Sequence, residues 1–503
     1  MNRSQELKRL TTYIPGFDLI SNGGLPAGRT TLVCGGPGSA KTIFAGQFLA
    51  AGIQHAGEPG CFVTFEERPE DIRRNLSSFG WDITRWEREN KWIFVDGSLH
   101  PKDEPVTVGD YDLGGLMARV THAVKKIGAK RISLDSIGAM LVQFGLPAII
   151  RRELYRVVWL LREMDVTSII TAEHTGNGEA PVEEYVTDNV IILRNTLEDE
   201  KRRRTLEILK FRGASHLKGE FPFTIAEDRG IILLPLSSIE LRQKSSDKRI
   251  TSGIPELDSM CGGGFYRDSV VLVSGATGTG KTLTATQFLS ALGENEKGLL
   301  FAFEESRDQL YRNALGWGID FPKLEAGGRL RILCEYPEVA GPEDHLLRIK
   351  KQIEEFQPTR VAVDGLSALE RISTLRTFRE FVLALTSYLK DKQIAGLFTS
   401  TTPSLLGGST VTEAHISSVT DSIILLRYVE AFGEMRRGIA VLKMRGSQHD
   451  RTIREFFIDS KGMHVGEPFR GISGILSGNF THSATSELQT LQSLFERTDA
   501  EEL

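Results

Sequence analysis

The chain alternates short apolar runs with longer segments in which apolar residues recur every three or four positions. In the first half, RTTLVCGG (29–36), GCFVTFEE (60–67), KWIFVDG (91–97), RISLDS (131–136) and VTSIITAE (166–173) read as strands. Between them, KTIFAGQFLAAGIQHA (41–56) and LGGLMARVTHAVKKIG (113–128) carry helical spacing. Strands joined through helices predict a mainly parallel α/β sheet flanked by helices. Two later β-rich pieces, DNVIILRN (188–195) and RRTLEILKFRG (203–213), predict antiparallel additions. The run KRRR at 201–204 reads as a solvated turn rather than a nucleic-acid site.

The same pattern then recurs. Lys41 and Lys281 lie 240 positions apart, Asp135 and Asp364 229 apart, and Lys210 and Lys443 233 apart. Between these anchors FVTFEERPEDIRRNLSSFGWDI (62–83) matches FAFEESRDQLYRNALGWGID (301–320), and TDNVIILR (187–194) matches TDSIILLR (420–427). A period this long is a duplicated domain, not a solenoid repeat. The polar stretch RQKSSDKRITSG (242–253) places the boundary near 246, which divides the chain into 1–246, 247–480 and a polar tail, 481–503. A short helix is expected at SELQTLQSLFE (486–496) within that tail.

Composition changes this picture little. At 503 residues, with 40% hydrophobic and 25% charged residues, the chain is that of a soluble, multi-domain protein. A net charge of −5 argues against a general nucleic-acid coat, so no nucleic-acid partner is expected. Cys34, Cys61, Cys261 and Cys334 form no C-x-x-C pair, and such sparse usage suits a reducing cytoplasm. No apolar h-region stands at the N-terminus and no apolar run approaches membrane-spanning length, so neither a signal peptide nor a membrane association is expected.

The candidate chemistry begins with two glycine-rich loops. SGATGTGKT (274–282) fits the phosphate-binding pattern G-x-x-x-x-G-K-[ST] in full, placing Thr277, Gly278, Thr279, Gly280, Lys281, Thr282 and Leu283 against a nucleotide. Backbone N–H groups and a helix N-terminus would cradle the phosphates, the lysine would supply charge and the threonine hydroxyl would ligate Mg²⁺. CGGPGSAKT (34–42) departs at one place: Ala40 stands where the second glycine belongs. Gly38, Ser39, Lys41 and Thr42 remain, and one added methyl is the smallest departure available, so this loop too is expected to bind nucleotide.

Paired acids follow each loop, Glu66–Glu67 and Glu304–Glu305, where a carboxylate can orient or deprotonate an attacking hydroxyl. Asp135 and Asp364 each end an apolar strand, as a carboxylate holding Mg²⁺ through water would. Lys210 with Arg212, and Lys443 with Arg445, alternate along predicted strands and so share one face, where two cations can grip phosphates.

These features together resemble the KaiC family of cyanobacterial circadian clock proteins. The resemblance covers about residues 10–480 and rests on long strings: GIPELDSMCGGGF, SGATGTGKT, FAFEESRDQLYRNA, YPEVAGPEDHL, AHISSVTDSIILL and EMRRGIAVLKMRGSQHD. It implies two tandem RecA-like P-loop ATPase domains that assemble as a double-ring homohexamer with ATP between subunits. It further implies a slow ATPase in the first ring and, in the second, an autokinase and autophosphatase acting on its own hydroxyls. The family's Ser-Thr phosphorylation pair falls on Ser417 and Ser418, a departure that keeps the second hydroxyl. Thr412 matches a third hydroxyl position nearby, and Ala414 replaces a family serine.

By the same resemblance Glu304, assisted by Glu305, takes the serine proton, and Glu304 joins Thr282 and Asp364 around Mg²⁺, as Thr42 and Asp135 do in the first half. Trp317 and Arg437 line the second nucleotide, which Lys443 and Arg445 reach from the neighbouring subunit. In the first ring Glu66, with Glu67 beside it, activates water. Ser78 contacts ATP there, and Lys210, Arg212 and His216 close the site from next door. A KaiB-like partner on the first ring is implied. Dependence on the activator KaiA is not, because LQTLQSLFERTDAEEL does not resemble the tail that KaiA binds. The motifs leave two rivals open: a RecA- or helicase-type motor stimulated by DNA, and a scaffold that uses ATP only to assemble.

Overall fold

The computed structural model describes residues 8–98, 113–138, 147–173, 182–198, 201–234, 245–402, 416–431, 434–470, 472–473, 475 and 481–482. The chain divides into two compact units, Met1–Ser238 and Ile239–Leu503.

In the first unit the elements are β1 (Thr30–Gly35), α1 (Lys41–Ala56), β2 (Gly60–Thr64), α2 (Pro69–Ser77), β3 (Trp92–Asp96), α3 (Leu113–Ile127), β4 (Arg131–Asp135), α4 (Pro147–Glu163), β5 (Thr167–Glu173), α5 (Val182–Val186), β6 (Asn189–Glu198), β7 (Lys201–Phe211), β8 (Glu220–Ala226) and β9 (Gly230–Leu233). They build one nine-stranded sheet in the order β3-β2-β4-β5-β1-β6-β7-β8-β9. The six strands from β3 to β6 are parallel, and β7, β8 and β9 are added antiparallel. Strands β1, β2 and β4 are buried along their whole length, as the central strands of a parallel sheet covered by helices on both faces are.

The second unit repeats this plan. It contains β10 (Val270–Gly275), α6 (Lys281–Ser290), β11 (Gly298–Ala302), α7 (Arg307–Gly316), β12 (Leu330–Cys334), α8 (Pro342–Phe356), β13 (Arg360–Asp364), α9 (Leu366–Arg371), α10 (Leu375–Asp391), β14 (Ala395–Thr401), β15 (Ser422–Ala431), β16 (Glu434–Met444), β17 (Arg454–Asp459) and β18 (Gly462–Pro468). The sheet order is β12-β11-β13-β14-β10-β15-β16-β17-β18, the same order as in the first unit. Two tandem RecA-like α/β domains follow from this duplication. In each, the loop-bearing strand is central, so its C-terminal end opens at a crevice where ligands of open parallel sheets bind.

A buried arginine locks each unit at the opposite end of that strand layer. Arg131 is 1% exposed. It donates to the carbonyls of Thr11 and Phe48 and to Glu58 at 2.7 Å. Arg360 repeats the arrangement with Thr251, Phe288 and Glu296. Each guanidinium thus satisfies carbonyls from the entry segment and from the first helix, which otherwise would be buried without donors.

Two sequence expectations are corrected here. KRRR at 201–204 is not a turn but the first four residues of β7, paired antiparallel with β6 from Glu198↔Lys201 onward. Its backbone pairs with β6, and Arg202 and Arg204 donate to the Asn195 and Gly38 carbonyls, tertiary partners that composition does not reveal. The cation pairs also do not both lie within strands: β7 ends at Phe211 and β16 at Met444, so Arg212 and Arg445 fall just beyond them. The helix expected at 486–496 lies outside the described residues, as do Thr412 and Ala414.

Candidate active site

Each phosphate loop joins the tip of the central strand to the first long helix. In the second unit Gly278 has φ +79° and Gly280 φ +104°, left-handed backbone that glycine adopts without steric cost. Ala40 occupies the position of Gly280 and keeps the same left-handed conformation, with φ +76°. The methyl therefore does not change the path of the loop; it makes that path strained. What accommodates it is visible in the second unit. A Cβ built on Gly280 would stand 3.1 Å from Ile458 Cδ1 and 3.2 Å from Met463 Cε. In the first unit Ile225 pairs with Ile231 as Ile458 pairs with Met463. A shorter, branched side chain thus stands at the methionine's place in the ladder, and Ala40, Ile225 and Ile231 belong to the same apolar cluster.

The loop residues share their roles across units. Lys41 Nζ donates to the carbonyls of Gly35 and Gly36 at 2.8 and 3.2 Å, and Lys281 Nζ to that of Ala276 at 2.9 Å. Each ammonium is thereby held inside its own loop. Burial pushes the Lys281 pKa down, against the pull of Asp364 and Glu304. Thr279 Oγ1 donates to the Ala276 carbonyl, whereas Ser39, its counterpart, has a buried Oγ with no hydrogen-bond partner. Thr277 and Gly278 are exposed at the loop tip, but Leu283 turns its side chain into the core.

The candidate metal ligands are adjacent. Thr282 Oγ1 donates to Asp364 Oδ2 at 2.9 Å, and Thr399 holds the other carboxylate oxygen at 2.6 Å. Burial raises the Asp364 pKa, while these two hydroxyl bonds oppose the rise. Thr171 holds Asp135 in the same way in the first unit. A hydroxyl and an oriented carboxylate beside a phosphate loop are the oxygen donors Mg²⁺ takes, so the residues present fit that ion.

The paired acids lie just past β2 and β11. Glu67 accepts from Asn75 at 3.4 Å and Glu305 from Asn313 at 2.9 Å, one turn into the following helix. Their partners project outward: Glu304 pairs with Arg371 at 3.0 Å, and Glu66 faces the first loop. Burial and then the Asp135 charge raise the pKa of both Glu66 and Glu67; burial and Asp364 do the same to Glu305. In the first unit a cleft of about 110 Å³ brings Lys41, Thr42, Glu66, Glu67 and Asp135 together with residues not foreseen, Thr64, Ser136 and a further acid, Glu173.

The remaining candidates form a second cluster. Ser417 and Ser418 lie on a 3₁₀ turn, Ile416–Ser418, anchored by buried Ile416 and leaving Ser418 exposed. Lys443 Nζ donates to the Ser417 and Thr420 carbonyls, and Arg445 to that of Ser418 at 2.8 Å. Lys210 binds Glu184 and Thr187 in the same geometry, with Arg212 next to it. Burial lowers the pKa of both lysines. Within each unit the lysine thus holds the turn. His216 meets the edge of the Phe211 ring at 5.7 Å, and burial lowers its pKa.

Ser78 and Trp317 each cap the C-terminus of a helix, α2 and α7, but lie one position apart in the repeat, where Phe79 is the counterpart of Trp317; the Ser78 hydroxyl is spent on the Asn75 carbonyl. Arg437 lies 5.9 Å from the Tyr428 ring, whose hydroxyl approaches Gly278. The first-unit equivalents, Arg204 and Asn195, both donate to the Gly38 carbonyl at 3.3 Å. Arg204 was missed because it sits in the misread KRRR run. Its match with Arg437 at the 233-residue offset is the signal that could have found it.

The sequence profile of the ATPase family KaiC matches residues 10–238 and 250–469. Circadian clock protein KaiC3 of Synechocystis sp. is 60% identical over 495 residues, covering 97% of this chain and 98% of the relative. Circadian clock oscillator protein KaiC of Thermostichus vulcanus is 50% identical over 489 residues, 96% and 94% of the two chains. That of Synechococcus elongatus is 49% identical over 492 residues, 97% and 94%.

Proposed function

Because the chain belongs to the KaiC family of ATPases, we propose that it hydrolyses ATP in its first unit and, in its second, transfers the γ-phosphoryl group to its own Ser417 and Ser418. The observation that carries this reading is a contrast between the two lysine-held turns. Where the second unit presents Ser417 and exposed Ser418, the first presents Glu184 and Tyr185. Only the second turn carries aliphatic hydroxyls at these two positions; the hydroxyl of Thr187 in the first turn is buried and donated to the Glu183 carbonyl.

In the second unit Lys281 and the loop N–H groups bind the phosphates of ATP, and Thr282 with Asp364 would hold Mg²⁺, which neutralises charge on the β- and γ-phosphates when bound. Glu304 takes the serine proton as the Oγ–phosphorus bond forms. The bond from the γ-phosphorus to the bridging oxygen breaks, and ADP leaves with the electron pair. Glu305, fixed by Asn313, keeps negative charge beside the base. In the first unit Glu66 plays this part toward water.

The family suggests self-association, and in our reading the chain forms a double-ring hexamer in which each phosphate loop faces the neighbour's serine turn. Lys443 and Arg445 then serve both the turn they hold and the ATP beyond it. A KaiB-like protein is the partner proposed for the first ring. Among the described residues no helix is long and apolar enough to cross a membrane.

Phosphosite mass spectrometry after incubation with ATP and Mg²⁺ tests the reading, beside a Glu304→Gln control. Phosphate on Ser417 or Ser418, lost in the control, is expected. Unmodified serines with continued ATP hydrolysis would refute the kinase and bring forward a motor or an assembly scaffold.

A further inference from the structure

The two units differ at the tip of one strand. In the first, β5 lies between the loop-bearing β1 and the Asp135 strand β4. Its last residue, Glu173, stands in register with Gly35, where β1 enters the phosphate loop. The side chain lines the same cleft as Lys41, Thr42, Glu66 and Asp135. Among the described residues Glu173 has no ion-pair partner. In the second unit the same register, Gly275↔Thr401, places a threonine there, its N–H bound to Ser367 Oγ at 2.7 Å.

A carboxylate opposite a phosphate site is repelled by the phosphates unless something with hydrogens stands between them. Water has two hydrogens to donate and a serine hydroxyl has one. Two carboxylates, Glu66 and Glu173, can accept both hydrogens of one water and leave a lone pair aimed at phosphorus. A single carboxylate, Glu304, suffices for a serine. We propose that Glu173 is a second catalytic carboxylate of the first unit, holding the attacking water with Glu66, and that Thr401 at the equivalent place suits the second unit to a protein hydroxyl. The inference rests on the reading that the first unit hydrolyses ATP. In the step, the water oxygen bonds to the γ-phosphorus and the bridging bond breaks. ADP departs with the electron pair, one proton passes to Glu66, and Glu173 accepts the hydrogen that stays on the new phosphate.

The test uses full-length protein in a Glu304→Gln background, so that phosphate release reports the first unit. Glu173→Gln is expected to lower kcat about 10- to 100-fold with KM for ATP unchanged, because an amide accepts more weakly but fills the same space. Unchanged kcat in Glu173→Gln, when Glu66→Gln abolishes release, would overturn the proposal and leave the hydrolysis reading standing. Unchanged release in both variants would overturn both. Loss of ATP binding along with kcat would mark a structural role and also overturn it. Thr401→Glu in otherwise unaltered protein gives an independent measurement. More ADP and phosphate should form per phosphoserine at Ser417 and Ser418; an unchanged ratio would count against Glu173's assigned role.

Discussion

Lys443 reaches the Ser417 carbonyl at 2.7 Å and the Thr420 carbonyl at 2.6 Å, so one ammonium closes the turn that presents the candidate phosphoacceptors. A charge-assisted bond of this kind contributes about 1.5–3 kcal/mol. Lys443→Met should release the turn while leaving the sheet intact. Hydrogen exchange at 416–420 is expected to accelerate at least tenfold, with no change in β10 or β13, and phosphate incorporation at Ser418 should fall in parallel. Unchanged exchange would show that the turn holds itself.

Ala40 carries a cost that glycine would not. A side chain in the left-handed region is disfavoured by about 1–2 kcal/mol, partly offset by the extra freedom glycine gives the unfolded chain. Ala40→Gly should therefore raise the melting temperature of the first unit slightly and keep nucleotide binding. The reverse change, Gly280→Ala, should destabilise the second unit by about 1–2 kcal/mol. Met463→Ile should recover part of that loss, since Ile231 holds the place of Met463 in the first unit. Calorimetry of the double-mutant cycle measures the coupling.

Arg204 and Asn195 converge on one loop carbonyl, that of Gly38. Arg204→Leu keeps the bulk on the strand and removes the donor. We expect ATP affinity of the first unit to weaken three- to tenfold, about 1 kcal/mol, with the second unit unaffected. Nucleotide titration in the Lys281→Ala background reads this directly.

Asp188 is 1% exposed and ion-paired with Arg162 at 2.6 Å and Arg29 at 2.9 Å. Burial pushes its carboxyl pKa up, but the two arginines more than offset this and hold it below its ordinary value. A depressed folded-state pKa contributes stability above the unfolded value, near ~3.9, and that contribution is lost as pH falls through the folded one. Arg162→Ala should cost the first unit about 1–3 kcal/mol at neutral pH. The gap from the unaltered protein should close in acid, below about pH 4. Urea titrations at pH 7 and pH 3.5 check the sign.

Most of the architecture was legible because its signals are local. The helix Lys41–Ala56 follows from a loop motif and apolar spacing, and Asp135 and Asp364 are announced by the runs they terminate. The repeat, at offsets between 229 and 240 residues, then transferred each reading to the second half. Glu173 escaped because its meaning depends on strand order: nothing in VTSIITAE says that this strand inserts between β1 and β4. The tie between Lys443 and the serine turn escaped for a similar reason, since their approach is made by the long β15–β16 ladder. Sequence could ask what Ala40 does; only its backbone angle answers that the loop keeps its shape at a conformational cost.

The central place of β1 also bears on how the chain is made. Thr31 pairs with Ile169 on one side and Asn189 on the other, so the strand TTLVCG leaves the ribosome long before either neighbour exists. Until then both its edges are bare, in an apolar, uncharged run of the kind that recruits other chains. The nascent first unit is thus exposed to misassembly through most of its translation, and only the arrival of β6 closes the gap. A chaperone that shields short apolar strands should cross-link to nascent chains halted at about residue 160 and release those that have passed about 240, at translation speeds of roughly 5–20 residues per second.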